Sequence, residues 1–183
     1  MNAVSTSLAE VFIIEPQVIE DDRGFFMESF NQQRFEHAIG TSIGFVQDNH
    51  SHSKRGVLRG LHYQIGERAQ GKLVRVALGA VFDVAVDLRR SSPTFMRWIG
   101  VELSADNRRQ LWIPPGFAHG FLVLGEHADL LYKTTDYYSP AHDRCLVWND
   151  PDIAITWPVS NSAPVLSAKD LNGKSLQEAD LFP

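Results

Sequence analysis

The chain is written in short runs rich in Val, Ile, Leu, Phe and Tyr, each closed by Gly, Pro, Asp or Ser, and almost nowhere sustains a helical period. That pattern suits strands, whose side chains alternate between two faces, and leaves little room for long helices. Candidate strands are Val11 to Ile14, Phe25 to Phe30, Phe45 to Ser51, Val57 to Ile65, Leu73 to Leu78, Val81 to Leu88, Trp98 to Leu103, Gln110 to Ile113, Phe117 to Leu124 and Ala128 to Thr134. About ten such strands suit an all-β sandwich or jelly roll. Asn31 to Ile39 reads differently: Asn31 can cap a helix, Phe35, Ala38 and Ile39 form an apolar stripe, and Gly40 sits where a helix stops. A second helical turn can start at Ser167, with Asp170 at its third helical position. The chain beyond Pro151 is irregular and Pro-punctuated, a tail expected to wrap the sandwich. There is no internal repeat or linker, so residues 1–183 are expected to form one domain.

Gly79 and Ala80 read as a two-residue turn joining two alternating segments, which predicts a hairpin with Lys72 facing Asp87 and Val76 facing Asp83. One side of that hairpin carries these four with Val74, Leu78, Val81 and Ala85. The other carries Leu73, Ala77, Phe82, Val84, Val86 and Leu88, the expected core, with Arg75 discordant. Three charges on a half-apolar face fit either a polar-lined barrel interior or a solvated salt-bridge face.

With 44% hydrophobic and 21% charged residues in 183 positions, the chain can enclose one core. A formal charge of -5 rules out an overall positive field that would draw nucleic acid or an acidic membrane, so phosphate binding must be local. The lone Cys145 cannot form an internal disulfide, and the Val11 to Ile14 run is too short for a signal peptide or a membrane span. A cytoplasmic protein is expected.

Pro114-Pro115-Gly116-Phe117-Ala118-His119 leads into a strand and resembles the second motif of the cupin superfamily, where the glycine turns the chain and the histidine points into the barrel mouth. Metal-binding cupins pair it with His-x-His and a carboxylate, because a divalent ion needs three or four N or O ligands. Here the corresponding segment is Gly60-Leu61-His62-Tyr63-Gln64, with Gln64 in place of the second histidine, which argues against a metal. His50 and His52 have the right spacing, but their polar neighbours Ser51, Ser53, Lys54 and Arg55 favour a surface pair.

A longer series extends this likeness. Asp21 to Phe26, Phe45 to Ser51, Val57 to Gln64, Gln70 to Arg75, Val81 to Arg89, Trp112 to Gly120, Tyr132 to Thr135, Trp148 to Pro151 and Leu166 to Asp170 together resemble, in order, the dTDP-4-dehydrorhamnose 3,5-epimerases. The resemblance covers nearly the whole chain. It implies a cupin-type jelly roll with one or two short peripheral helices, acting as a homodimer on a dTDP-linked 4-keto-6-deoxy sugar. The implied reaction inverts carbons 3 and 5, with no metal or other cofactor.

In that likeness His62 matches the family's base and Asp170 its carboxylate partner, while Tyr132 matches the proton donor on the far side of the sugar. Lys72 fits an ammonium beside the enolate oxygen, and His119 a substrate contact. Arg23 and Arg59 match phosphate-binding positions, and Glu28 with Gln47, Asp48 and Asn49 match nucleotide contacts. Asp143, where the family carries glutamate, and Lys169 match further substrate contacts. Taken singly, His62 also reads as a satisfied core histidine, Asp170 as a helix residue, Tyr132 as packing and Lys72 as a surface ion pair. Strand alternation sets Arg59 on the face opposite His62, and exchange of an arm between subunits would reconcile the two. A single-site epimerase or ketoisomerase would share the same base and acid.

Overall fold

The computed structural model describes residues 1–159 and 163–183. Its strands are β1 (Asn2–Ser5), β2 (Phe12–Glu15), β3 (Val18–Asp21), β4 (Gly24–Met27), β5 (Gln47–Lys54), β6 (Leu58–Gln64) and β7 (Lys72–Leu78). They continue with β8 (Ala80–Asp87), β9 (Trp98–Ser104), β10 (Gln110–Ile113), β11 (Phe117–Val123), β12 (His127–Thr134) and β13 (Asp143–Cys145). Helices α1 (Gln32–Ile39) and α2 (Ala168–Leu171) are short. Asn31 caps α1 by accepting from Arg34 N, and Gly40 ends it in the left-handed conformation, as their residue types require.

Two antiparallel sheets face each other, ordered β1-β2-β10-β7-β12-β5 and β13-β6-β11-β8-β9, with β3-β4 a separate hairpin. Val74, Val76, Leu111, Ile113 and Leu130 of the first sheet meet Val81, Ala85, Ile99, Leu103 and Phe121 of the second between the layers. Both outer faces are covered too. Phe35 of α1 packs on Ile14, Leu73 and Trp112, while Ile153, Trp157 and Leu176 of the tail pack on Leu58, Val84, Val86 and Leu122. Burial on both faces is why the strands read as near-continuous apolar runs. The expected wrapping tail is thus found, and the fold is the cupin-like β-sandwich anticipated.

The expected Gly79–Ala80 hairpin is not formed: β7 pairs with β10 and β12, and β8 with β9 and β11, in opposite sheets. Gly79 has φ +74°, and a Cβ there would lie 2.0 Å from His127 O, so the chain turns a corner against its neighbour instead of folding back on itself. The facial division survives the change of partner. Lys72, Val74, Val76, Val81, Asp83 and Ala85 do face inward, giving the polar-lined interior. Leu73 with Val84 and Val86, expected to share one core face, lie on the two separate outer faces. Asp87 meets Arg89, Ser92 and Thr94 rather than Lys72.

A second correction concerns β6. Its pairing with β11 runs Leu58↔Leu122 and Arg59↔Phe121, then His62↔His119, so one extra residue is accommodated around Gly60. Such a bulge reverses the alternation, and Arg59 and His62 come to lie on the same inward face. The expected conflict between them is removed within one chain. Gly60 has φ +132°, and a Cβ on it would sit 2.5 Å from Gly120 Cα, so two glycines permit the crossing.

Candidate active site

At one end of the barrel the inward rows of both sheets turn polar. The six-stranded sheet presents Lys72, Thr134 and Gln47 in one row, then Val74, Tyr132 and Asn49 in the next. Opposite them the five-stranded sheet presents Cys145, His62, His119 and Ala85 in register. Between the sheets lies a cavity of about 330 Å³, lined by Gln47, Asn49, His62, Lys72, Tyr132, Asp143 and Lys169, all singled out by the sequence, together with Gln64, Gln70, Thr134 and Tyr138.

His62 lies 2.6 Å, through Nε2, from Asp170 Oδ1, a contact spanning 108 residues of chain. An ionised carboxylate only accepts, so the ring donates from Nε2 and keeps the lone pair of Nδ1 for an incoming proton. Burial pushes the imidazole below its ordinary pKa, opposed by the bond to Asp170, with Lys169 and Lys72 lowering it further. The ring is therefore neutral near pH 7. Burial would raise the pKa of Asp170, yet hydrogen bonds from His62, Ser167 and Gly60 N bring it down to about 2.

Lys72 Nζ donates to the main-chain oxygen of His62 at 3.2 Å. Burial lowers its pKa to about 8 against the pull of Asp143 and Asp83, so the ammonium prevails at neutral pH. Burial raises the Tyr132 hydroxyl above its ordinary value, more than Arg59 and Lys169 lower it, and it stays protonated. One wall thus carries a neutral base with an anchored partner, the other a protonated phenol, with a cation beside the base.

The remaining expected residues fall elsewhere. His119 is buried with Nε2 3.0 Å from Asp83 and does not line the cavity. Arg59 donates from Nε to Ser53 Oγ at 3.0 Å. Asp48, one residue out of phase with Gln47 and Asn49, lines a groove of about 520 Å³ on the outer face of the six-stranded sheet, with Phe30, Arg75 and Lys133. The discordant Arg75 belongs to that groove. Arg23 sits at the tip of the β3–β4 hairpin with its side chain 89% exposed, and Glu28 pairs with Arg34; neither lines the cavity. His50 and His52 form the expected surface pair, beside Asp129.

Gln64, at the place of the second histidine of metal-binding cupins, is committed to a neighbouring loop. Its Nε2 donates to Arg68 O and Tyr137 O, and its Oε1 accepts from Ser139 N, so it holds the loop that bears Tyr138 at the cavity mouth. His62, Cys145 and Asp170 do bring three donor atoms within 4.8 Å of one another. They suit a metal poorly, because burial raises the Cys145 thiol to about 11 and Asp170 is already saturated with donors. Sequence reasoning passed over Tyr138, Thr134 and Gln70 as site residues, whose types carry no signal outside their tertiary setting, and read Ser167 only as the start of a helix.

A family model described as dTDP-4-dehydrorhamnose 3,5-epimerase matches residues 5–178. An enzyme of that name from Pseudomonas aeruginosa is 62% identical over 183 residues, covering 100% of both chains. A Legionella pneumophila dTDP-6-deoxy-D-glucose-3,5-epimerase, solved with dTDP-4-keto-L-rhamnose, is 52% identical with a TM-score of 0.94, covering 98% of this chain and 94% of that one. A 3'-monoepimerase from Streptomyces bikiniensis, solved with dTDP-quinovose, is 34% identical with a TM-score of 0.89, covering 97% and 88%. Among the described residues no helix is long and apolar enough to cross a membrane.

Proposed function

The chain belongs to the dTDP-4-dehydrorhamnose 3,5-epimerase family, and from that premise we propose that His62 is the base, Tyr132 the acid and Lys72 the oxyanion stabiliser of its reaction. The enzyme is an isomerase that converts dTDP-4-dehydro-6-deoxy-D-glucose to dTDP-4-dehydro-L-rhamnose, in dTDP-L-rhamnose biosynthesis. The observation that carries the residue roles is the placement of His62 and Tyr132 on opposite sheets of one cavity, with Lys72 beside the base.

Carbons 3 and 5 both flank the ketone at carbon 4, so a single cation at the ketone oxygen lowers the barrier to proton loss from either. His62 Nδ1 takes the proton, Asp170 stabilises the imidazolium, and the enolate is held by Lys72. Tyr132 then protonates the carbon from the other face, which inverts it. The hydrogen returned is not the one removed, because donor and acceptor differ. Each inversion therefore brings in one hydrogen from solvent once His62 and Tyr132 have been reset. No electron is transferred, and the donor set gives no reason to invoke a metal.

In deuterated water the wild-type product is expected to carry label at both carbons 3 and 5, whereas Tyr132→Phe is expected to lose the starting hydrogens yet return label without inversion. Label at one carbon only would replace this reading with that of a monoepimerase. Unimpaired inversion by Tyr132→Phe would remove the phenol from its role.

Gln47, Asn49, Asp143 and Lys169, which line the cavity, are proposed to hold the nucleotide diphosphate and sugar, with Arg23, Glu28, Arg59, Asp48 and His119, which the lone chain leaves outside it, as further contacts and the arginines as forked donors to phosphate. Homodimerisation then brings the arm that bears Arg23, one of these five, to the neighbouring cavity. The β3–β4 arm bearing Arg23 exposes Ile19, Phe25 and Phe26, the last at 69%, as an arm would that reaches a neighbour. Protomers carrying His62→Ala mixed with protomers carrying Arg23→Ala then form heterodimers with one doubly damaged and one intact site. Activity is expected to recover to about a quarter of wild type under random pairing. No recovery would mean that each arm serves its own chain. A cytoplasmic location accords with the free thiol of Cys145.

A further inference from the structure

Asp170 is the third residue of a four-residue helix and closes a capping box with Ser167. It is 2% exposed, and both oxygens are committed. Oδ1 takes His62 Nε2 at 2.6 Å and Gly60 N at 3.2 Å. Oδ2 takes Ser167 Oγ at 2.6 Å and Ser167 N at 3.4 Å. Ser167 Oγ in turn accepts from Asp170 N at 3.2 Å. The carboxylate is thereby pinned between strand β6 and helix α2, and it cannot rotate without breaking bonds to both.

We propose that Ser167 is a positioning residue for the catalytic base: its hydroxyl fixes the orientation and charge of Asp170, and through Asp170 the orientation and proton affinity of His62. This rests on the reading of His62 as the base. The physical link is direct. Each donor on a carboxylate stabilises its negative charge and weakens its demand for a further proton. With the Ser167 hydroxyl gone, Asp170 pulls harder on the His62 proton and favours the imidazolium, the form that cannot act as a base. A carboxylate released on one side also lets the imidazole swing from its working angle. The other charged groups around His62 are Lys72 from β7 and Lys169 from α2, both of which oppose its protonation. The Cys145 thiol on β13 lies 4.0 Å from Asp170 Oδ1 and gives only a weak further contact. None of these replaces the short bond from Ser167.

A merely structural role, capping α2, is separated from this by choice of variant. Glycine is tolerated at an N-cap but has no hydroxyl, whereas threonine keeps both functions. Ser167→Gly and Ser167→Ala are expected to lower kcat about tenfold or more, leave KM nearly unchanged, and move the acid limb of the kcat/KM profile to higher pH. Ser167→Thr is expected to restore turnover and the limb. The His62 ring is titrated by NMR in the same proteins and should follow the same direction. Wild-type kcat with an unmoved limb and an unmoved ring titration in Ser167→Gly would overturn the proposal. A displaced ring titration with unchanged turnover would instead uphold the coupling and overturn the role of His62 as base.

Discussion

Replacing His62 with alanine is expected to lower kcat by about 10³- to 10⁴-fold and to abolish deuterium uptake at carbons 3 and 5 together. The double loss follows from the geometry: one imidazole lines the cavity from the five-stranded sheet, and no other neutral base among the described residues lines it. His119, its register partner, is turned to Asp83. The fold should survive the change, since Asp170 retains its donors from Ser167 and Gly60. Steady-state turnover and mass analysis of the product test this. Wild-type rates, or uptake surviving at one carbon, would assign proton removal to another group.

Gly60→Ala is expected to destabilise the protein by roughly 3 kcal/mol or more and to lower Tm by roughly 6–12 °C. Two penalties combine there. The backbone has φ +132°, a conformation that a Cβ disfavours, and the added carbon would lie 2.5 Å from Gly120 Cα and 2.9 Å from His119 O, main-chain atoms that cannot swing aside. Gly56 is the control: it also has positive φ, +74°, but nothing lies within 4 Å of its would-be Cβ. Gly56→Ala therefore carries only the conformational penalty, about 1 kcal/mol. Equal melting temperatures for the two variants would show that the bulge relaxes around a side chain. Because the bulge sets Arg59 and His62 on one face, any Gly60→Ala protein that folds should also lose activity beyond its loss of stability.

Local chemistry was legible because it acts over a few residues. Asn31 and Gly40 bound α1 as their caps dictate, and Ser167 begins α2 with the expected capping pattern. That Lys72, Val74, Val76, Val81, Asp83 and Ala85 share one face was recognisable from alternation alone, because side-chain direction in a strand does not depend on which strand lies beside it, but that this face points inward was not. The partner of that strand was not recognisable. A turn at Gly79 and Ala80 is compatible with a hairpin or with a corner between sheets, and only competition from β10 and β12 for the edges of β7 decides it. Short strands escaped notice for a related reason: Asn2–Ser5, Val18–Asp21 and Asp143–Cys145 owe their extended form to pairing, with too few apolar residues to announce it.

The site divides in the same way. Taken alone, the sequence determined the all-β class and the helix caps, and the order of its motifs implied, through resemblance, that His62, Lys72, Tyr132 and Asp170 share one site. Strand alternation within it misplaced Arg59, since an inserted residue changes nothing in composition but reverses every side chain beyond it. Tertiary structure supplied the 2.6 Å contact between His62 and Asp170 and the opposite wall for Tyr132 that the resemblance had only implied, and it alone showed that Ser167 closes the far side of the carboxylate. Contacts between sheets depend on how two layers stack, and no periodicity along the chain encodes that distance.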